Sequence, residues 1–495
     1  MVQYLQTKSS KRHNLASTII PSSMQTSYQK KIGKSFLLFL LMLPLWVSAK
    51  EYRCTPLETS QLKLLLNGGL APEDTLILED GIYNNLGDIH FSGTGKPNNP
   101  IVWQAEHPGK AIISGVLNLK IYGEYLQMEG LCLNKAWPEG HELISFQQKN
   151  EGPYARDCRM TNCVVDDCNN PAHGNRPGQG DEYWIGLRGT NNRIDHCYFG
   201  KKRVGGLVIQ VWISEECHIN NHLIDHNVFG ERLPFGGNGA EIIRIGHSWS
   251  SQLESRTIVE DNIFFRCSGE SEIISIKSCH NVIRRNLFYE SRGGLVCRHG
   301  HYNVLESNTF IGHGLRGTAG IRIINQGHTV YDNYVNDVEE FGLLVRMGVY
   351  ERPTSSTDTR KEPLTSYHRV ENVDIARNTF LNCILDLGSG KGDKFPRNVR
   401  MYNNLYGGST PHLKIYRADT LLAGFRWIDN RWAFADSTTW KQIPYKSIRT
   451  GFIPTSLPTD WKQKEKSRIE ACLSDTGSSW YPSSRDCIEY INAHH

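Results

Sequence analysis

The residues best equipped for chemistry lie between Glu270 and Gly300. Glu270-Ser271-Glu272-Ile273-Ile274-Ser275-Ile276-Lys277 is followed by Cys297-Arg298-His299-Gly300. Side chains on a strand alternate, so two carboxylates two residues apart share a face. Such a pair can hold one hard cation. Lys277 follows the second carboxylate by five residues, and Arg298 comes 21 residues after Lys277. A cation, an amine and a guanidinium on one face suit an anionic substrate.

A repeat must bring these groups together. The pattern apolar, two residues, Asn or Cys, one residue, aromatic or apolar occurs at Ile194/Cys197/Phe199, Ile224/Asn227/Phe229, Val259/Asn262/Phe264 and Ile283/Asn286/Phe288. It continues at Leu305/Asn308/Phe310, Val330/Asn333/Val335, Ile375/Asn378/Phe380 and Met401/Asn404/Tyr406. From Asn227 to Asn333 the asparagines are spaced by 35, 24, 22 and 25 residues. A period of this size, in short β-rich runs split by Gly and Asn, indicates a stacked solenoid. Short strands cannot cover their own apolar face, so each coil buries it against the next. An Asn at one phase of every coil can stack into an amide ladder. An antiparallel sandwich would lack that ladder and would want two-residue hairpin turns.

The expected fold class is therefore all-β, a parallel β-helix. A short capping helix precedes it, opened by Thr55-Pro56-Leu57-Glu58 and stopped by Gly68-Gly69. Lys277 and Arg298 then sit on neighbouring rungs. Asn238 follows Asn227 by 11 residues, Glu270 and Glu272 follow Asn262 by 8 and 10, and Arg298 follows Asn286 by 12. These similar phases put all four on one face, roughly 5 Å apart per rung. Glu241, Arg244, His247, His299, His301 and Arg322 join them in a polar surface of mixed sign. Singly, each has a structural reading: a solvated Glu-x-Glu, a surface ion pair for Lys277, a satisfied His299. Their convergence is what points to a site.

The chain has 495 residues, 39% of them apolar, enough for one large or two ordinary domains. Lys30-Lys31-Ile32-Gly33-Lys34, an apolar run from Phe36 to Val47 and then Ser48-Ala49 follow the order of a secretory signal. The run is too short to span a bilayer, an N-terminal anchor being the other reading. Met24 would open a signal of ordinary length. The expected organisation is an N-terminal extension and signal peptide over 1–49, a β-helix catalytic domain over 50–434 and a C-terminal extension over 435–495. The product is expected to be exported, periplasmic or secreted, with no stable membrane span after cleavage. Six basic residues and no acid precede Lys50, so their loss takes the formal charge from +4 to −2. No global basicity then points to nucleic acid. The thirteen cysteines lie mostly in apolar runs and are expected to be buried thiols, with Cys472 and Cys487 the first candidates for a bridge. Long loops are expected over about Asn134 to Trp184 and between Gly348 and Tyr367.

Asn238-Gly239-Ala240-Glu241-Ile242-Ile243-Arg244-Ile245-Gly246, Glu270 through Ser278, and Arg298-His299-Gly300 resemble the signature of polysaccharide lyase family 6. The resemblance covers most of residues 60 to 410. It implies a right-handed parallel β-helix, calcium at Asn238, Glu270 and Glu272, a Brønsted base at Lys277 and a proton donor at Arg298. It further implies substrate contacts at Glu241, Arg244, His299 and Arg322. The implied reaction is a calcium-assisted β-elimination on an anionic polysaccharide, leaving 4,5-unsaturated ends. Glu241 after Asn238-Gly239-Ala240, and Gly320-Ile321-Arg322-Ile323-Ile324 before Gly327-His328, look more like alginate lyases than chondroitinase B. A chondroitinase B-type lyase of dermatan sulfate is the alternative within the family. Outside it stand a non-catalytic glycan-binding β-helix and a hydrolase built on Asp166-Asp167 with Glu270 and Glu272.

Overall fold

The computed structural model describes residues 49–149, 152–173, 180–351, 367–409, 412–434 and 446–495. The signal segment and most of the loop expected between Gly348 and Tyr367 lie outside the described residues.

Short strands stack into three parallel sheets, each coil giving one strand to each. One sheet holds 14 strands, from Glu51–Cys54 to Phe425–Ile428. The other two are joined through the long strand Ala111–Glu124, which pairs in both. One coil reads Ile258–Glu260, Ile263–Phe265 and Glu272–Lys277, and the next Val282–Arg284, Leu287–Tyr289 and Gly293–His299, in parallel register with it. This is the expected parallel β-helix. Right-handed crossovers are the form that twisted parallel strands favour.

The ladder asparagines hold the sharpest corner. The residue before each is left-handed: Asp261, Arg285, Ser307 and Asp332 have φ of 55°, 53°, 55° and 57°. For a non-glycine residue that costs about 1 kcal/mol. The buried amides offset it. Asn286 Nδ2 donates to Asn308 Oδ1 at 3.0 Å, Val259 O at 2.9 Å and Arg284 O at 3.0 Å. Its Oδ1 accepts from Asn262 N at 3.1 Å and Asn262 Nδ2 at 3.0 Å. Equivalent bonds run from Asn227 to Asn430, one rung beyond the expected end at Asn404. Trp427/Asn430/Trp432 fits the same pattern. At the other end Cys197 Sγ accepts from Cys163 N at 3.4 Å, the thiol standing in for the amide. Inside the coil, Phe229, Phe264, Phe288 and Phe310 stack with centroids 4.8, 4.7 and 4.4 Å apart.

Several expectations need correcting. The cap helix spans Thr59–Leu66 rather than starting at Pro56, because Glu58 folds back to accept from Thr55 N at 2.8 Å and closes a separate turn. Leu62 and Leu66 are its buried face. The stretch from Asn134 to Trp184 is no single loop: Glu142–Ser145, Arg159–Thr161 and Val164–Asp166 are strands of regular coils. Thirteen free cysteines leave Cys472 and Cys487 unbridged, buried where two C-terminal helices lie on the barrel.

Those helices, Trp461–Leu473 and Pro482–His494, lie along the outside of one sheet. Their Ile469, Leu473 and Ile491 cover Tyr198, Val228, Ile263, Leu287 and Tyr289. The tail reaches back to early coils, where Trp480 Nε1 donates to Asn162 Oδ1 at 2.8 Å and Tyr481 Oη to Asp166 Oδ2 at 2.6 Å. Phe452–Pro454 also pairs with Asn430–Phe434, so β-pairing continues past residue 434. No helix among the described residues is long and apolar enough to cross a membrane.

Candidate active site

One sheet carries Ile243–Gly246, Glu272–Lys277, Gly293–His299, Thr318–Ile323 and Phe341–Val345 on successive rungs. Gly246, Lys277 and His299 stand in register, as do Arg244, Ser275, Val296 and Arg322. Strict alternation would send Glu272 and Lys277, five apart, to opposite faces. A register shift between Glu272 and Ile274 prevents this. Ile273 and Ile274 both turn into the core, so one extra residue is absorbed and Glu272, Ser275 and Lys277 all face outward. Opposite the bulge, Gly293 has φ 98°, and a Cβ there would come within 2.5 Å of Glu270 O. Only glycine lets the two rungs close.

Two clusters meet on this face. In the first, Glu241 Oε1 lies 3.6 Å from Lys277 Nζ and 3.7 Å from Arg244 Nη1. Arg244 is fixed in turn, donating to Gln210 Oε1 at 2.5 Å and Tyr183 Oη at 3.2 Å. In the second, Glu272 Oε1 accepts from Arg298 Nη1 at 2.6 Å and also from Arg322 Nη2, while Ser275 Oγ donates to Oε2 at 2.5 Å. Burial pushes Lys277 below the ordinary lysine range, and Arg244 and Arg298 add to that against the pull of Glu241. Burial would raise Glu272, but Arg322 and Arg298 hold it below the usual carboxylate range. Burial alone would lower Arg298, and Glu272 outweighs it, so the guanidinium ends above its ordinary value.

Glu270 behaves differently. Burial, with the Glu241 and Glu272 carboxylates close by, pushes it up to about 9. Glu270 Oε1 and Glu241 Oε2 are both buried without a hydrogen-bond partner. Buried, unpartnered oxygens on mutually repelling carboxylates are what a divalent cation relieves, so the donor set fits a hard ion. The expected ligands are arranged less simply than expected. Glu270 precedes the strand, which begins at Glu272, and Asn238 occupies an exposed bend. Among the described residues, the trio of acidic or histidine side chains with ligand atoms within 4.8 Å of one another is the exposed Asp80, Glu106 and His107. Glu272 also accepts from two guanidiniums. A groove of about 440 Å³ adjoins, lined by Gly236, Gly237, Glu270, Arg292, Arg322 and Phe341.

A family model described as Chondroitinase B matches residues 63–410. Among solved structures, the chain is similar to a mannuronic acid specific polysaccharide family 6 lyase enzyme from human gut microbiota. They are 65% identical, over 90% of this chain and 100% of that one, with a TM-score of 0.89. It is 30% identical to the PL6 family alginate lyase AlyGC, covering 88% of this chain and 59% of that one, with a TM-score of 0.74. No curated protein matches. The chain belongs to polysaccharide lyase family 6. Lys277 and Arg298 of this family 6 lyase thus occupy adjacent rungs with Glu272 and Glu241 beside them, and His299 is buried next to Arg298.

Sequence reasoning missed several of the lyase's groups. Tyr367 lies under two guanidiniums, with Arg298 Cζ 5.2 Å and Arg346 Cζ 4.5 Å from its ring centre, and stacks on His299 at 5.9 Å. Its number follows an insertion that breaks the coil count, so spacing gave no signal. Glu142, Arg188 and Trp212 form a further polar group on the same sheet. Arg188 Nη1 donates to Glu142 Oε2 at 2.6 Å, Trp212 Nε1 to Glu142 Oε1 at 2.7 Å, and the guanidinium lies 4.9 Å over the indole. Asp166, a candidate acid for hydrolysis, belongs elsewhere: it is buried under the C-terminal helices, paired with Lys201 at 2.9 Å.

Proposed function

We propose that this lyase cleaves alginate within mannuronate-containing chains by β-elimination, leaving 4,5-unsaturated ends. The observation that carries the chemistry is Lys277, an amine held below its ordinary range on the rung beside Arg298. The solved mannuronic acid specific relative supports the substrate. The C5 proton of a uronate is too weakly acidic for an amine unless the adjoining carboxylate is neutralised. Lys277 takes that proton as general base, its neutral form favoured by burial and by Arg244 and Arg298. Arg298 and Arg322 shield the substrate carboxylate, and Arg298 assists departure of the glycosidic oxygen. Arg244 and His299 position the sugar. His299, lowered to about 3 by burial and Arg298, stays neutral and recognises hydroxyls rather than charge.

Asn238, Glu270 and Glu272, with Glu241 alongside, are the residues that would hold calcium. A bound calcium ion supplies positive charge against the enolate-like charge of the transition state. The enzyme acts after export, in the periplasm or outside the cell, where polymer is met. The family model's description keeps dermatan sulfate as a second reading.

The test is product analysis on polymannuronate, polyguluronate and dermatan sulfate, each with calcium and with excess EGTA. Absorbance and mass of a 4,5-unsaturated uronate from polymannuronate are expected, and are lost with the chelator. Hydrated products, or turnover on dermatan sulfate alone, would overturn the reading.

A further inference from the structure

Asn238 sits on a loop, Leu233 to Ala240, that contains Gly236, Gly237 and Gly239 and lies outside any strand. Glycine gives such a loop many conformations, so groups outside it must hold Asn238 in place. Backbone bonds to the neighbouring coils do part of this. Phe235 N donates to Gly269 O at 2.8 Å, and Gly206 N donates to Gly239 O at 2.9 Å. Arg232, the residue just before the loop, adds its side chain.

Arg232 is 2% exposed. Its Nη1 donates to Glu241 O at 3.1 Å, which ties the end of the loop to its start. Its Nη2 donates to Gly206 O at 2.8 Å and Val204 O at 3.1 Å on the preceding coil. On the following coil Gly269, the residue before Glu270, packs against it: a Cβ there would lie 3.0 Å from Arg232 Nε and 2.4 Å from Ala240 O. One guanidinium thus joins three successive coils, two of which carry Asn238, Glu241 and Glu270.

The acceptors are carbonyls, and no carboxylate pairs with Arg232 among the described residues. A buried cation without an ion-pair partner is expensive, and a neutral amide could cap carbonyls without that cost. What the charge faces is the Glu241 and Glu270 pair, which opposes the fall to about 10 that burial imposes on the guanidinium. Glu241 Oε2 and Glu270 Oε1 nevertheless keep no hydrogen-bond partner. The guanidinium offsets the repulsion between the two acids while leaving those oxygens free. We propose that Arg232 is a positioning residue of the cation site: it fixes the Asn238 loop, Glu241 and Glu270 in the arrangement that accepts calcium. The inference rests on the cation reading given above, and Arg232 acts through those three residues rather than on the ion.

The experiment compares the parent, Arg232→Gln and Arg232→Lys, with Asn404→Ala, a ladder variant on a later coil, as the control for general destabilisation. Calcium affinity is read by titration calorimetry, and turnover on polymannuronate across a calcium series. Arg232→Gln should raise the calcium Kd about 10- to 100-fold, the usual effect of losing a group that orients metal ligands. Its turnover should return to near the parent's at saturating calcium, which general damage would not allow. Arg232→Lys keeps the charge but cannot fork to both coils, so it should recover only part of the affinity. It carries the test if Arg232→Gln does not fold. Asn404→Ala should melt earlier with its calcium Kd unchanged. An unchanged Kd in the Arg232 variants, a comparable shift in Asn404→Ala, or failure of both Arg232 variants to fold would overturn the assignment. A parent that takes up no calcium and is indifferent to EGTA would instead sink the cation reading itself.

Discussion

Glu241 Oε1 lies 3.6 Å from Lys277 Nζ, and both side chains are buried, with exposures of 1% and 12%. The same carboxylate oxygen is 3.7 Å from Arg244. The lysine thus sits between two carboxylates, Glu241 foremost and Glu272, that favour its charged form and burial that opposes it. Burial wins, since the amine ends below its ordinary range. A base operating near neutrality needs that balance.

The balance has a direction that kinetics can read. The rate should rise with pH as Lys277 loses its proton, at a pH below the ordinary lysine value of 10.5. Glu241 raises the lysine, so Glu241→Gln, assayed at saturating calcium, should move that rise to lower pH. Lys277→Ala should cost about 10²- to 10⁴-fold in rate with folding retained. A rise unmoved in Glu241→Gln would separate the carboxylate from the base.

Glu270 predicts a linkage between cation, proton and stability. Its ordinary value of 4.5 is raised to about 9 in the cation-free protein. A carboxyl raised on folding favours the native state below its unfolded value and loses that contribution as pH rises through its folded one. In EGTA, the melting temperature should therefore fall between pH 4.5 and about 9. Calcium should restore it more strongly at the alkaline end, and binding at neutral pH should release a proton, measurable by calorimetry in buffers of different ionisation enthalpy. Glu270→Gln should lose both effects.

The fold and the rung-to-rung pairing of Lys277 with the Arg298 strand were legible because Asn262, Asn286 and Asn308 count the coils. The site's finer form was not. Alternation alone gave Glu270 and Glu272 one strand face. The bulge at Ile273 is invisible until Gly293 is seen to make room for it, since isoleucine reads as core in either phase. The bonds of Glu272 to Arg298 and Arg322 were not legible either, because those partners come from the next two rungs. Cys472 and Cys487 read as a bridge in a polar tail, because the apolar strip they cover, from Tyr198 to Tyr289, lies hundreds of residues earlier.

The ladder can be tested for its weight. Asn286→Ala removes an acceptor for Asn262 and a donor to Asn308, Val259 and Arg284 at once. Each buried polar group left unsatisfied costs about 1–3 kcal/mol. The variant should lose at least about 3 kcal/mol in denaturant unfolding, allowing for relaxation. A loss under about 1 kcal/mol would mean that the corner is held by the strands alone.

The C-terminal helices make the last case. They cover Tyr198, Val228, Ile263, Leu287 and Tyr289, a strip on the outside of a sheet that otherwise would face water. A contiguous apolar strip of that length is an aggregation site. Truncation after residue 456 should therefore leave the catalytic face intact but make the protein associate, as read by light scattering. The milder Trp480→Ala removes the bond to Asn162 and the ring packed near Gly109. The indole is only partly buried, so the loss should stay below the roughly 3–5 kcal/mol of a core aromatic cut to alanine. Lys277 and Arg298 lie on a different sheet from the one the helices cover, so the surviving soluble fraction should keep its turnover per folded molecule. Turnover lost in step with the helices would show that the tail positions the site across the barrel rather than only sealing its flank.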